Sequence, residues 1–497
     1  MSGDLPRGWA EIEIGDLTAP MRPRCDPQEY PRLPFVGMEQ VESYSGRLIG
    51  TVSSATMKST AFQFQPGDVL YGRLRPYLNK VLCAEFKGLC SSEFIVLPPM
   101  GSFDPKYLAF YLRTDGFVSF SNQLNQGDRP RVSFDQISSY EVPLAPLAEQ
   151  KRIVAKVEKL LSKVDASRAR LEKVSALIKR FRQSVLAAAC SGRLTADWRG
   201  ENPRVESGAN LLVRIKQARL VAAVNAKETR QIDAAFHGAK LSVEASELGI
   251  EQFPDSWVAC QIGTIGSVVN GSTPSRMHDE YWNGKIPWVS SGEVRNNIIS
   301  ETRERITQSG YDNCSVNLLP CGSVLLAMIG EGKTRGQSAI LQVAATINQN
   351  IAAVLIPHGL VLSEFLWRWF LFQYDATREQ GSGSGPQALN CQRVRELPFV
   401  LPPLAEQKEI VRRVEELFAL ADRLEARVGK ARGQVDKLTQ SILAKAFRGE
   451  LVPQDPNDEP AEKLLARIRT TTGPVAVQGG KVASSVSVRR GRPRKVR

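Results

Sequence analysis

A stretch of 49 residues occurs twice in this chain, 257 positions apart, and any fold for it has to house both copies. Pro146–Leu194 and Pro403–Leu451 align without a gap, and 22 of the 49 positions are identical. PLAEQKRIVAKVEKLLSKVDASRAR answers PLAEQKEIVRRVEELFALADRLEAR, and QSVLAAACSGRLT answers QSILAKAFRGELV. A weaker echo follows, LLVRIK (211–216) against LLARIR (464–469). Internal repeats are the first thing to settle in a long sequence, because they dictate architecture before any local propensity does.

Each copy has the period of a long helix. Ile153, Val157, Leu160, Val164, Ser167, Leu171, Val174, Ile178, Phe181 and Val185 advance in steps of four and three. Ile410, Val414, Leu417, Ala421, Leu424, Val428, Ala431, Val435, Leu438 and Ile442 do the same. A 3.5-residue period held over some five heptads predicts a coiled-coil seam. Two matching seams in one chain most simply pair with each other, as an antiparallel intramolecular coiled coil roughly 60 Å long. Gly192 and Gly449 stand where helix C-caps belong.

A segment of mixed composition precedes each helix, and these two segments are also related. Pro6-x-x-Trp9 matches Pro254-x-x-Trp257, PGDVLYG (66–72) matches CGSVLLA (321–327), and FIVLPP (94–99) matches AAVLIP (352–357). The offset grows from 248 at the tryptophans to 257 at the helices, so the second segment is nine residues longer. Short β-type runs, turns and one helix (107–112 and 365–372) predict small α/β domains. The expected fold is therefore α+β and pseudo-two-fold, two α/β domains separated by the two long helices. The divisions are 1–145, 146–197, a helical connector 198–250, then 251–402, 403–470 and a basic tail 471–497.

Charge narrows the partner. Lys and Arg number 65 against 52 Asp and Glu, a net +13, which favours a polyanion. The last 17 residues hold seven of those bases and no acid, leaving the first 480 at only +6. No apolar run approaches the 18 or so residues of a spanning helix, and the start lacks a leader's basic and apolar regions. A cytoplasmic protein without a membrane partner is expected. Eight cysteines without a CxxC, and three histidines, predict scattered thiols and no metal site.

Taken together, the motifs resemble the specificity subunit of type I restriction–modification systems. PLAEQKRIV and PLAEQKEIV, GDVLYGRLRPYLNK, GSTPS with YWNGKIPWVS, AAACSGRLTADWR and AFRGELVPQDPNDEPAEKLLARIR carry the likeness, which spans about residues 5–470. The resemblance implies a non-catalytic bacterial or archaeal protein. Its two target recognition domains each read one half of a bipartite, asymmetric sequence in double-stranded DNA. It implies two modification (adenine N6 methyltransferase) subunits docked on the helices and, where present, a restriction (translocase/endonuclease) subunit. Glu149, Gln150, Ile153, Glu406, Gln407 and Ile410, in the repeated helix starts, are the expected subunit contacts. This chain then binds no cofactor. S-adenosylmethionine belongs to the modification subunit, and ATP with Mg2+ to the restriction subunit. Half-site centres about one turn, roughly 34–36 Å, apart suit a two-fold-like reader of one duplex face.

Basic and amide residues in loops are the expected DNA contacts. Arg73, Arg75, Asn79 and Lys80 follow the first GDVLYG strand, and Asn125, Gln126, Arg129 and Arg131 lie in NQGDRPR. Lys333, Arg335 and Gln337 hold the first of these places in the second half, and Ser382, Ser384 and Gln387 the second. About half of these should touch DNA, mostly at phosphates. In the tail, Arg490-Gly491-Arg492-Pro493 is the core of an AT-hook, whose extended Arg-Gly-Arg fits a narrow A·T minor groove. A basic tail adding non-specific affinity is the other reading, and both stay open.

Other chemistries fare worse. AMIGEGKT (327–334) is one Gly-to-Ala change from a phosphate-binding loop, yet GRLRPYL in the first half has no such loop. A methyltransferase needs an Asn/Asp-Pro-Pro-aromatic loop to grip a flipped adenine, and Asp455-Pro456 runs into Asn457 instead. Trp282, Trp288, Trp367 and Trp369 sit among apolar neighbours and read as core. Catalytic residues are therefore expected to be none. The competing readings are a stand-alone coiled-coil DNA-binding scaffold and, more remotely, a P-loop enzyme.

Overall fold

The computed structural model describes residues 5–20, 22–124, 127–238, 250, 252–330, 332–379 and 388–472. They fall into two compact units. One runs to Leu171 and resumes at Ala431; the other is Glu172–Lys430. Each contains a sheet-rich head, the start of one long helix and the end of the other.

The helices span Leu147–Cys190 and Leu404–Phe447, 44 residues each. In the first unit Ile153 and Val157 share a core with Leu443 and Phe447, and Arg168 reaches Asp436 at 3.0 Å. The second helix's numbers fall as the first helix's rise, so the two helices of the seam run antiparallel. In the second unit Arg182 meets Asp422 and Glu425, while Val185 and Ala189 share a core with Ile410 and Val414. The seam is unevenly buried. Ile153, Val157, Ile410 and Val414 are closed, whereas Val174, Phe181 and Leu424 are 36–41% exposed.

Each head begins and ends on one antiparallel strand pair at its helix start, Ala10–Glu13 with Glu141–Leu144 and Val258–Gln261 with Pro398–Leu401. Beyond these, each head carries one five-stranded and one three-stranded sheet. Both strands after the repeated Pro/Cys-Gly turn, Val69–Gly72 and Val324–Ala327, are buried throughout and pair antiparallel with the later Phe94–Leu97 and Ile351–Leu355. The α+β class and the helix pairing match the sequence reading.

The helix ends explain the repeat. Gly192 and Gly449 have φ of 76° and 73°, the left-handed cap that glycine adopts freely. A Cβ there would lie 2.6 Å from Pro254 and 2.5 Å from Pro6. The Pro-x-x-Trp motif of each head therefore packs on a helix end where only glycine leaves room. The LLVRIK and LLARIR echoes are also real. The Gly208–Ala222 and Ala461–Thr472 helices bury Leu211, Leu212 and Ile215, and Leu464 and Ile468. Each is tied to its head by one matching bond, Gly208 N–H to the Ser256 carbonyl and Ala461 N–H to the Gly8 carbonyl.

Candidate nucleic-acid interface

In the first head two loops distant in sequence are stitched edge to edge. Leu74 and Arg131 form an isolated antiparallel bridge, the Arg75 N–H donates to the Pro130 carbonyl, and the Val132 N–H donates to the Arg73 carbonyl. A third strand end joins them, because the Arg73 N–H donates to the Glu93 carbonyl. This frame brings the stretches carrying Arg73, Arg75, Arg129 and Arg131 side by side, with Arg75, Arg129 and Arg131 exposed. Arg131 donates Nε and Nη2 to the Glu93 carboxylate at 3.0 and 2.6 Å, which holds that carboxylate below the usual range. Arg73 is half-buried, with Nε lacking a partner among the described residues.

The second head repeats the frame with different side chains. The Leu389 N–H donates to the Met328 carbonyl and the Met328 N–H to the Asn350 carbonyl, the counterparts of the bonds at Val132 and Arg73. By this correspondence Met328 replaces Arg73, Asn350 replaces Glu93, and Ala388 replaces Arg131. Lys333 is exposed and Gln337 half-buried. Their loop is braced by Tyr374, whose hydroxyl donates to the Lys333 carbonyl, and by Arg378, which donates to the Arg335 carbonyl. One scaffold thus carries two chemistries, arginine with carboxylate in one head and amide with apolar groups in the other.

Several expected contacts are corrected. Asn79 is 2% exposed in a left-handed conformation and donates Nδ2 to the Arg113 carbonyl at 3.1 Å, so it braces the loop from within. Lys80 turns its ammonium to the Met38 carbonyl at 2.6 Å. Arg335 is buried. Asn125, Gln126, Ser382, Ser384, Gln387, Arg490 and Arg492 lie outside the described residues.

The six expected subunit contacts are also corrected, since all are at most 1% exposed and cannot form a docking surface. Their role is internal and identical in both units. Glu149 accepts from the Trp9 indole at 3.0 Å, and Glu406 from the Trp257 indole at 2.8 Å. Gln150 donates to the Ala145 carbonyl and accepts from the Asp104 N–H, while Gln407 donates to the Pro402 carbonyl and accepts from the Leu362 N–H. Ile153 and Ile410 sit in the cores beneath. The Glu-Gln pair of each PLAEQ motif therefore fastens a head to its helix. The surroundings differ in one respect. Glu406 also receives Thr195 Oγ1 at 2.7 Å and the Arg199 guanidinium, whereas the second oxygen of Glu149 is buried with no partner among the described residues. Burial pushes the Glu149 carboxyl above its ordinary range.

The phosphate-loop match dissolves in three dimensions. The strand Val324–Ala327 runs through its turn into the strand Ser338–Leu341, with no helix after Thr334 to offer its N-terminus to an anion. Trp288, Trp367 and Trp369 are buried, while Trp282 is half-buried with Arg276 stacked 3.6 Å above it.

Comparison with known proteins agrees with this architecture. The family described as type I restriction modification DNA specificity domain matches residues 6–176 and 254–430. The StySPI type I restriction enzyme specificity subunit of Salmonella potsdam is 31% identical, covering 97% of this chain and 98% of that protein. The EcoDI specificity subunit of Escherichia coli is 27% identical over 97% and 99%. Among solved structures, the HsdS subunit from Thermoanaerobacter tengcongensis superposes with a TM-score of 0.52 at 19% identity, over 90% and 99% of the two chains. A chain from a study of type I R-M complex assembly and conformational transition gives 0.62 at 20%, over 90% and 100%. At those identities the likeness is one of fold.

Proposed function

The chain belongs to the type I restriction–modification DNA specificity family, and on that premise we propose that its two heads read the unlike halves of one bipartite DNA target. It is a non-catalytic specificity subunit that assembles with DNA and the other subunits of such a system. The observation that carries the bipartite reading is the shared frame with exchanged side chains. Arg73, Glu93 and Arg131 occupy the places of Met328, Asn350 and Ala388. Arginine suits guanine and asparagine suits adenine in the major groove, so matching backbone bonds that present unlike side chains favour a non-palindromic target.

Chemistry then comes from partners. Two modification subunits bring S-adenosylmethionine and adenine methylation; a restriction subunit, where present, brings ATP and Mg2+. Their docking surface is the open middle of the seam. Val174, Leu177 and Phe181 lie on one helical face at 36–58% exposure, and Leu420 and Leu424 are each 41% exposed. Apolar side chains this exposed on a charged helix pair suit an apolar helix from a partner. No helix among the described residues is long and apolar enough to cross a membrane.

The helices also serve as a ruler in this reading. Inserting one matched turn in both, near the exposed middle, should lengthen the unspecified gap while both half-sites persist. Sequencing methylated DNA from cells carrying the lengthened chain with its modification partner reads both outcomes. An unchanged gap would remove the ruler.

A further inference from the structure

Three of the five non-glycine residues with positive φ among the described residues meet in one knot of the first unit. They are Tyr44 (64°), Arg75 (53°) and Asn79 (45°). A bulky residue in this region is costly, and such outliers persist where the surroundings over-determine them, most often at functional sites. The surroundings here are specific. The Tyr44 N–H donates to the Asn79 carbonyl, and the Tyr44 hydroxyl donates to the Tyr77 carbonyl at 3.0 Å. The Arg113 guanidinium, 6% exposed, donates both Nε and Nη2 to the Tyr44 carbonyl at 3.2 and 2.9 Å. The Arg113 carbonyl in turn receives Asn79 Nδ2 at 3.1 Å and Gln440 Nε2, from the second long helix, at 3.0 Å. Gly46 completes the turn, since a Cβ there would sit 2.2 Å from the Val81 carbonyl.

The cost is not offset by burial of the side chains it displays. Tyr44 is 52% exposed and Tyr77 43%, and Arg75 stands exposed two residues before Tyr77, in the loop stitched to the one carrying Arg129 and Arg131. A buried arginine given to a backbone carbonyl is an expensive way to hold a surface turn unless the shape of that turn matters. We propose that Tyr44 and Tyr77 form a DNA-reading tip of the first head, with Arg113 as the residue that positions it. The flat rings and hydroxyls suit contact with sugars, phosphates and base edges beside the arginines. This rests on the specificity-subunit reading above and adds residues to it. Gln440 ties the tip to the second long helix within the first unit.

The test uses the full complex with its modification partner, on duplexes carrying the wild-type motif and each single-base variant. Tyr44→Gly removes the ring without backbone strain, because glycine accepts φ of 64°. It also removes the hydroxyl bond to the Tyr77 carbonyl, so Tyr77→Ala, which keeps that carbonyl and its bond, is read beside it. Discrimination at one or more bases of a single half-site should relax at least about five-fold in Tyr44→Gly and in Tyr77→Ala. The other half-site should keep its preferences. Arg113→Lys, which keeps the charge but loses the fork, should relax the same half-site. Wild-type discrimination at both half-sites in Tyr44→Gly and Tyr77→Ala would overturn the tip alone. A wild-type complex that methylates no bipartite motif would overturn the parent reading and the tip with it.

Discussion

Glu406→Gln will destabilise the second unit by about 2–3 kcal/mol, while Glu149→Gln at the matching position will change the first by less than about 1 kcal/mol. The two carboxylates are equivalent in sequence and both accept a tryptophan indole. Only Glu406 also neutralises a guanidinium, that of Arg199, whose side chain is 24% exposed. Removing one member of a largely buried pair strands the other charge and costs several kcal/mol, reduced here by the partial exposure of Arg199. In the first unit the positions of Thr195 and Arg199 are taken by Val452 and Pro456, and the nearby Arg152 is held by Asp458, so replacing Glu149 strands no guanidinium. Its carboxyl is raised by burial, and the sign of its pH dependence follows. The group carries no charge penalty below the ordinary carboxylate range. It loses stability as pH rises from that range through its own raised value, and the loss is constant above. Glu149→Gln should abolish that component. Hydrogen exchange in urea, read separately on peptides of each unit, measures both effects. Equal losses in the two variants would show that the asymmetry has no energetic weight.

Leu177→Glu with Phe181→Glu should abolish assembly with the modification subunit, weakening it by at least about 100-fold, without lowering the melting temperature of the isolated chain by more than a degree or two. Both side chains are large, apolar and open, at 58% and 36% exposure, so glutamate remains hydrated in the free subunit. In a complex that covers them, two unpaired carboxylates would be buried, at several kcal/mol each. Co-purification with the tagged modification subunit reads assembly, and calorimetry of the free chain reads folding. Normal assembly would move the partner surface elsewhere.

The duplicated framework was legible because long-period repeats and heptads are carried by many residues at once. Helices, caps and the LLVRIK echo were therefore recovered within a few residues. The polar half of the PLAEQ motif misled, because a repeated Glu-Gln on a helix looks like a contact surface. Its partner is a tryptophan 140 or 149 residues away, and only the joint duplication of Pro-x-x-Trp and AEQ hinted at a lock within the chain. Asn79 and Lys80 misled for a different reason. Amide and ammonium groups in a loop after a strand look solvated until the backbone folds them inward onto Arg113 and Met38 carbonyls. Tyr44 was invisible, since nothing in SYSG signals a tyrosine held at positive φ. The even heptad pattern likewise concealed that the seam opens at Val174 and Phe181, because period reports which face is apolar and not what covers it.

Whether the two heads read one bipartite target is decided by sequencing methylated DNA in a methylation-free host expressing this chain with its modification subunit. One adenine-methylated, non-palindromic motif of two specified halves around a fixed unspecified gap is expected, absent when this chain is omitted. Methylation that is palindromic, lacks a gap, or persists without this chain would contradict it.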